Sequence, residues 1–111
     1  MRVRLVKKKT IEDYVTANAR SRSSFQIWLT NLRYANWNQP KDIIKTFGTA
    51  DILGQGSERV VFDIGGNKYR MICSYSFRGT TKVHVYVKWI GTHAEYAKLC
   101  KENMQYTINV Y

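Results

Sequence analysis

Proline occurs once in the 111-residue chain, cysteine twice, and acidic side chains only 8 times against 18 lysines and arginines. So little proline beside 44% hydrophobic residues excludes a disordered or proline-rich linker and fits a packed globule. The length leaves room for one ordinary core and not for two, so residues 1–111 are read as a single domain. No apolar run long enough for a secretory leader or a membrane span follows the basic opening segment Met1–Lys9, and a cytoplasmic chain is expected. Cys73 and Cys100 lack the paired spacing of a zinc or redox motif, so reduced thiols are expected. Phosphate-cradling glycine loops are missing too, since Gly54-Gln55-Gly56 has neither the further glycines nor the helix of such a motif. Two histidines without acidic clusters beside them argue against a catalytic metal, and no cofactor is expected.

What is present in excess is positive charge, a formal +10. On a small domain that surplus draws polyanions, and nucleic acid is the default partner. The same surplus also serves solubility, and charge alone does not separate the two.

The chain reads as a helical half followed by a sheet half. Val3 and Leu5 alternate in a short first strand, Arg2 to Val6. Thr10 with Asp13, and Ser23 with Gln26, have the spacing of helix starts, ahead of an apolar stripe of Phe25, Trp28, Leu29 and Leu32. Pro40 opens a third short helix carrying Ile43, Ile44 and Phe47. From Glu58 the period becomes two. Val60, Phe62 and Ile64 lead to Gly65-Gly66, read as a two-residue hairpin loop that pairs Ile64 with Asn67. Tyr69, Met71, Cys73, Tyr75 and Phe77 return, and a three-residue loop at Gly79-Thr80-Thr81 leads into Val83, Val85, Val87 and Trp89 on the same face. The expected fold is α+β: a small antiparallel β-sheet packed on one side by N-terminal helices, with a short C-terminal helix that Thr92 and Glu95 start as a capping box. The tail from Tyr106 to Tyr111 alternates like a strand and suits either the sheet edge or a partner.

Parity places Lys68, Arg70, His84, Tyr86 and Lys88 on the other face of that sheet. In the expected register Arg70 lies opposite Ile90 and diagonal to Lys88, close enough for two long cations to share one phosphate. Alternating charge is also the ordinary dress of a solvated sheet face, so pattern alone leaves both readings open. His93 falls in the first turn of the last helix with Tyr96 one turn on. The helix N-terminus favours an anion nearby and a neutral imidazole, whereas a surface histidine and a tyrosine packing the helix to the sheet would look the same.

Segment 61–70, Val-Phe-Asp-Ile-Gly-Gly-Asn-Lys-Tyr-Arg, and segment 89–96, Trp-Ile-Gly-Thr-His-Ala-Glu-Tyr, resemble the two signature stretches of HigB-type toxins; Trp37 to Ile43 resembles that family's middle region. The resemblance implies a RelE-like fold and the toxin of a type II toxin–antitoxin system, an endoribonuclease that cuts mRNA on the translating ribosome. It also implies metal-free attack of the ribose 2′-hydroxyl on the adjacent phosphate, with a cognate helix-turn-helix antitoxin (HigA-like) as partner. On that reading Arg70 clamps the phosphate, Lys88 adds a point charge, His93 moves the proton, and Tyr96 orients the sugar or shares acid–base duty. Lys68, His84 and Tyr86 would bind RNA. The competing reading is a non-catalytic RNA-binding or ribosome-associated module that uses the same basic face.

Overall fold

The computed structural model of the protein describes residues 1–79 and 81–111. Five strands, β1 (Arg2–Val6), β2 (Asp51–Leu53), β3 (Arg59–Ile64), β4 (Tyr69–Ser76) and β5 (Lys82–Thr92), form one sheet in the order β1-β5-β4-β3-β2. Helices α1 (Lys9–Ala17), α2 (Arg22–Arg33) and α3 (Lys41–Thr46) precede β2, and α4 (His93–Lys101) follows β5. This is the expected α+β class. Three pairings are antiparallel, but β1 runs parallel to β5, and β2 is a short edge strand where the sequence suggested only a loop.

The helical half packs as its periodicity demands. Ile11 and Val15 of α1, Phe25, Trp28 and Leu32 of α2, and Ile43 of α3 are buried against Val60, Phe62, Ile64, Met71, Cys73, Val83 and Val85 of the sheet. Phe62 sits at the centre, 5.1 Å from the rings of both Trp28 and Phe47 in edge-to-face contact. Replacing such a ring by Ala costs about 3–5 kcal/mol in comparable cores. The helix starts differ from the expected ones. Thr10 and Ser23 lie inside α1 and α2, neither helix has a side-chain cap, and Asp13 pairs with Lys9 on the surface. Pro40 does stand at the N-cap of α3.

Both hairpin registers differ from the expected ones in an instructive way. Gly65 and Gly66 take the left-handed backbone (φ 67° and 69°), but the loop is four residues long and Ile64 pairs with Tyr69, not Asn67. A slip of two keeps every side chain on its face, because the strand period is two. Between β4 and β5 the expected register holds from Ser76↔His84 to Cys73↔Val87 and is then broken by a bulge: Ile72 pairs with Trp89, and Arg70 with Gly91 rather than Ile90. The expected loop Gly79-Thr80-Thr81 includes Thr80, which lies outside the described residues.

The bulge shifts β5 by one residue, so Trp89 leaves the helix-facing stripe while Ile90 joins it. Trp89 instead meets a second, smaller core on the opposite face, built from Leu53, Val61 and Ile72 under Leu99 and Tyr96 of α4 and Tyr106 and Ile108 of the tail. The face expected to be wholly polar is therefore covered at one end. Arg59, buried on this face, donates to the carbonyls of Gln105 (3.2 Å) and Ile108 (2.7 Å), and the Val110 N–H reaches the Lys88 carbonyl at 2.9 Å. Of the two places suggested for the tail, it takes the sheet, though as a 3₁₀ turn (Met104–Tyr106) and irregular chain and not as a strand. Cys73 and Cys100 are free thiols. Among the described residues no helix is long and apolar enough to cross a membrane.

Candidate functional site: a nucleic-acid-facing sheet surface

The α4 end of the outer face is organised around Arg70. Its strand partner on β3 is Asp63, and the cross-strand pair closes an ion contact of 2.8 Å between Nη1 and Oδ1, with both side chains about one-fifth exposed. Nη2 donates to Asn67 Oδ1 at 2.7 Å from the hairpin loop. The slipped register creates this arrangement, since it puts Asp63 opposite Arg70 and leaves Asn67 in the loop. Neither Arg70 Nε nor Asp63 Oδ1, both buried, finds an aligned hydrogen bond, so the contact is ionic more than directional. Arg70 is a pre-oriented cation whose charge is partly shared with Asp63.

The capping box holds α4 above it. Thr92 Oγ1 accepts from the Glu95 N–H at 3.2 Å, and Glu95 Oε1 accepts from the Thr92 N–H at 2.7 Å, as its spacing promised. The His93 N–H donates to the Lys68 carbonyl at 3.1 Å, tying the start of the helix to the β3–β4 loop. One turn on, the Tyr96 ring lies with its centroid 5.6 Å from the Arg70 guanidinium carbon and 6.1 Å from the Trp89 ring. Gly91 makes room for this stack: a Cβ there would fall 2.5 Å from Trp89 Cη2 and Cζ2. Burial, reinforced by the Cys100 thiol, pushes the Tyr96 phenol well above its ordinary range. At neutral pH it is a hydrogen-bond donor. The His93 side chain is exposed at the first position of α4, and Lys68 is exposed on the loop that the His93 N–H meets.

The other half of the outer face is open. His84 and Tyr86 stand two residues apart on β5 with their rings 6.4 Å apart, and Lys88 Nζ lies 5.7 Å from the Tyr86 ring centroid. Because β1 is the parallel neighbour of β5, Arg2, Arg4 and Val6 align with Lys82, His84 and Tyr86. Arg4, Lys82 and Lys88 form no ion pair among the described residues. Thus the expected sharing of one phosphate by Arg70 and Lys88 is not what the register supports. Arg70 turns to Asp63, Asn67 and Tyr96; Lys88 turns to Tyr86, with Trp89 following it on the bulged strand.

The sequence grouped Lys88 with Arg70, His93 and Tyr96, and Lys68 with His84 and Tyr86; the structure sets Lys88 beside Tyr86 instead, and adds Asp63, Asn67 and Arg4, which the sequence reading missed. Arg4 was legible in the alternation of β1, which sets Arg2 and Arg4 opposite Val3 and Leu5; its neighbours were not. The bulge also had a trace. Trp89 and Ile90 are consecutive apolar residues, which strict alternation with one wet face does not produce. Among the described residues no three His, Cys, Asp or Glu side chains gather as a metal site would need.

A search of curated proteins finds no relative of this chain. Residues 21–99, most of the chain and all of the Arg70 and His84 groups except Arg4, match the HigB_toxin family, described as the RelE-like toxic component of a toxin–antitoxin system. The five-stranded sheet with its helices is consistent with a RelE-like fold, and the chain belongs to the HigB_toxin family as the toxin of a toxin–antitoxin pair.

Proposed function

We propose that the toxin is an endoribonuclease that cuts messenger RNA in the cytoplasm on the translating ribosome, without a metal or cofactor, and that a helix-turn-helix antitoxin of the HigA-like kind restrains it. The observation that carries the reading is the Arg70 group: a fixed cation, a phenol held in its protonated form and an imidazole at the rim, all at one end of an otherwise basic face. Cleavage by an internal ribose nucleophile needs three things of a protein. A base takes the proton from the 2′-hydroxyl as O2′ bonds to phosphorus. An acid gives a proton to O5′ as the P–O5′ bond breaks. Cations hold the phosphorane, which carries more negative charge than the ground state.

In this assignment His93 takes the 2′-hydroxyl proton and Tyr96, which keeps its proton, donates to the leaving oxygen, giving a 2′,3′-cyclic phosphate and a 5′-hydroxyl. Arg70 meets the phosphorane with the fifth of its side chain that stays exposed beside Asp63 and Asn67. Lys68 holds the backbone at the loop, and Lys88 meets a phosphate farther along the strand and not the scissile one, because the bulge separates it from Arg70. His84 and Tyr86 contact bases.

The test is cleavage of a message on purified ribosomes, with binding of each variant measured in parallel. Arg70→Ala removes a contact made chiefly in the transition state, so cutting falls much further than association. His93→Gln keeps size and hydrogen bonding but removes the ring nitrogen that would accept the proton, and costs about 10² to 10⁴ in rate. A His93→Gln variant that cuts as fast as the parent, joined to equal losses of binding and cutting in Arg70→Ala, makes the face a docking surface for a non-catalytic module.

A further inference from the structure

The rings of His84 and Tyr86 rise from one face of β5 with their planes within 26° of parallel and their centroids 6.4 Å apart. That spacing is too wide for the two rings to stack on each other in full contact. Bases in a stack follow one another at about 3.4 Å, so a planar base inserted between two parallel rings needs roughly twice that. The separation of the two centroids is close to this span.

The surroundings are those of a slot and not of a loose pair. Along β5 the order is fixed on both outer sides. Lys88 Nζ lies over Tyr86, and beyond His84 stands Gly79, where a Cβ would come 3.6 Å from His84 Cε1 and 2.8 Å from the Lys82 carbonyl oxygen. On β4, Ser76 is the partner of His84 and Ser74 the partner of Tyr86. Their side chains are short enough to leave the gap open, and their hydroxyls both donate and accept, as the edge of a base requires. On β1 the partner of His84 is Arg4, exposed and in no ion pair among the described residues. Lys82 stands one step beyond. Tyr86 is 37% exposed, so the mouth is open to solvent.

We propose that His84 and Tyr86 form a slot that takes one unstacked base of single-stranded RNA between their rings, with Ser74 and Ser76 at its edge and Arg4 and Lys88 on the flanking phosphates. The occupant is nucleic acid and not an apolar peptide because the slot is rimmed by cations without acidic partners, on a chain with a formal +10. The inference rests on the ribonuclease reading and names how its substrate is held: the strand is pinned by a base at the open end while its phosphate reaches the Arg70 group. Flipping one base out breaks the continuous stack of the message and gives the backbone the freedom that in-line attack by O2′ needs.

The experiment uses the full chain and a short RNA carrying 2-aminopurine at one position, with every 2′-hydroxyl methylated so that binding is read without cutting. Sandwiching quenches the fluorescence of the analogue. Binding by the parent should quench it; His84→Ala and Tyr86→Ala should each lose the quench and bind about 5- to 100-fold more weakly, the range for deletion of one stacking ring. Tyr86→Phe should behave as the parent, whereas Tyr86→Leu, of comparable bulk without a π face, should behave as Tyr86→Ala. The slot is overturned if Tyr86→Leu binds and quenches as the parent does, or if an RNA lacking the base at the probe position binds equally well. It is also overturned if the parent binds no RNA while the ring variants weaken the antitoxin complex, which would give this face to a protein. Message cleavage is scored separately. Normal cutting with a failed slot removes only the slot, and intact quenching by a chain that never cuts removes only the nuclease.

Discussion

The two ends of the outer face use the same kinds of residue, aromatic and basic, to opposite effect. At the α4 end, Arg70 is held by Asp63, Asn67 and the Tyr96 ring, and Tyr96 is held in turn by Trp89 lying over Gly91. At the β1 end, Arg4, Lys82 and Lys88 have no acidic partners among the described residues, and His84 and Tyr86 have space between them. Chemistry on a phosphate needs groups already in place, since a cation that must reorganise during the reaction loses much of its effect. Binding a chain that arrives in many conformations tolerates mobile, solvated cations, whose contribution is long-range and sensitive to salt. On the proposed ribonuclease reading, the contrast between an anchored and an open end corresponds to a division between catalysis and capture.

The sharpest way to break the contrast is at Tyr96. Tyr96→Phe keeps the ring over Arg70 and removes only the donor, so cutting should fall about 10²-fold or more while RNA affinity and thermal stability stay close to those of the parent. An equal loss of affinity would move Tyr96 from the anchored group to the binding surface. Next in size is Gly91→Ala. The added methyl cannot coexist with the Trp89 ring where it lies. The ring must swing out, costing about 1–3 kcal/mol of stability, read by denaturant unfolding, and carrying Tyr96 off Arg70 so that cutting falls with it. If stability drops and cutting per folded molecule does not, the stack on Tyr96 has no part in the activity.

Smaller effects are expected at the open end. Arg4→Gln should weaken single-stranded RNA binding a few-fold and lower the slope of log affinity against log salt by about 0.7, the value for one phosphate contact on a single strand. A lower affinity with an unchanged slope would mean that Arg4 acts through the sheet edge and not through a phosphate. The smallest effect belongs to a residue in neither group. Asp42, in the first turn of α3, accepts from the N–H groups of Asn38 (2.8 Å) and Gln39 (3.2 Å), and these bonds, with Lys45 nearby, hold its carboxyl below the ordinary range. A carboxylate depressed in the folded state contributes stability above its unfolded pKa of about 3.9 and loses it as the pH falls through the folded value. Asp42→Asn should therefore unfold more readily than the parent at neutral pH, with the difference closing below about pH 4 and cutting unchanged. A gap that stays constant with pH would assign the effect to packing.

Local chemistry accounts for what was readable in the sequence. The capping box at Thr92 and Glu95, proline at the head of α3, the glycine turn at residues 65 and 66, and the two alternating faces all depend on residues a few positions apart, and each stands in the structure. The shared face of Arg70 and Asp63's strand was legible for the same reason, because parity survived a hairpin slip of two residues. Where short-range rules compete, the sequence was a poorer guide. Thr10 and Ser23 have cap spacing, yet α1 and α2 begin earlier, because burying Ile11, Val15, Phe25 and Trp28 on the sheet outweighs a cap bond of about 1 kcal/mol. What only the tertiary structure decided are the contacts between segments far apart in the chain: β1 lying parallel to β5 and bringing Arg4 to His84, and the tail returning to Arg59 and Lys88. The bulge belongs with them. One extra residue in β5 turned Trp89 to the outer face and separated Lys88 from Arg70, and no local propensity specifies which strand carries it, because its benefit is the second core that α4 and the tail complete by folding back over Leu53, Val61 and Ile72.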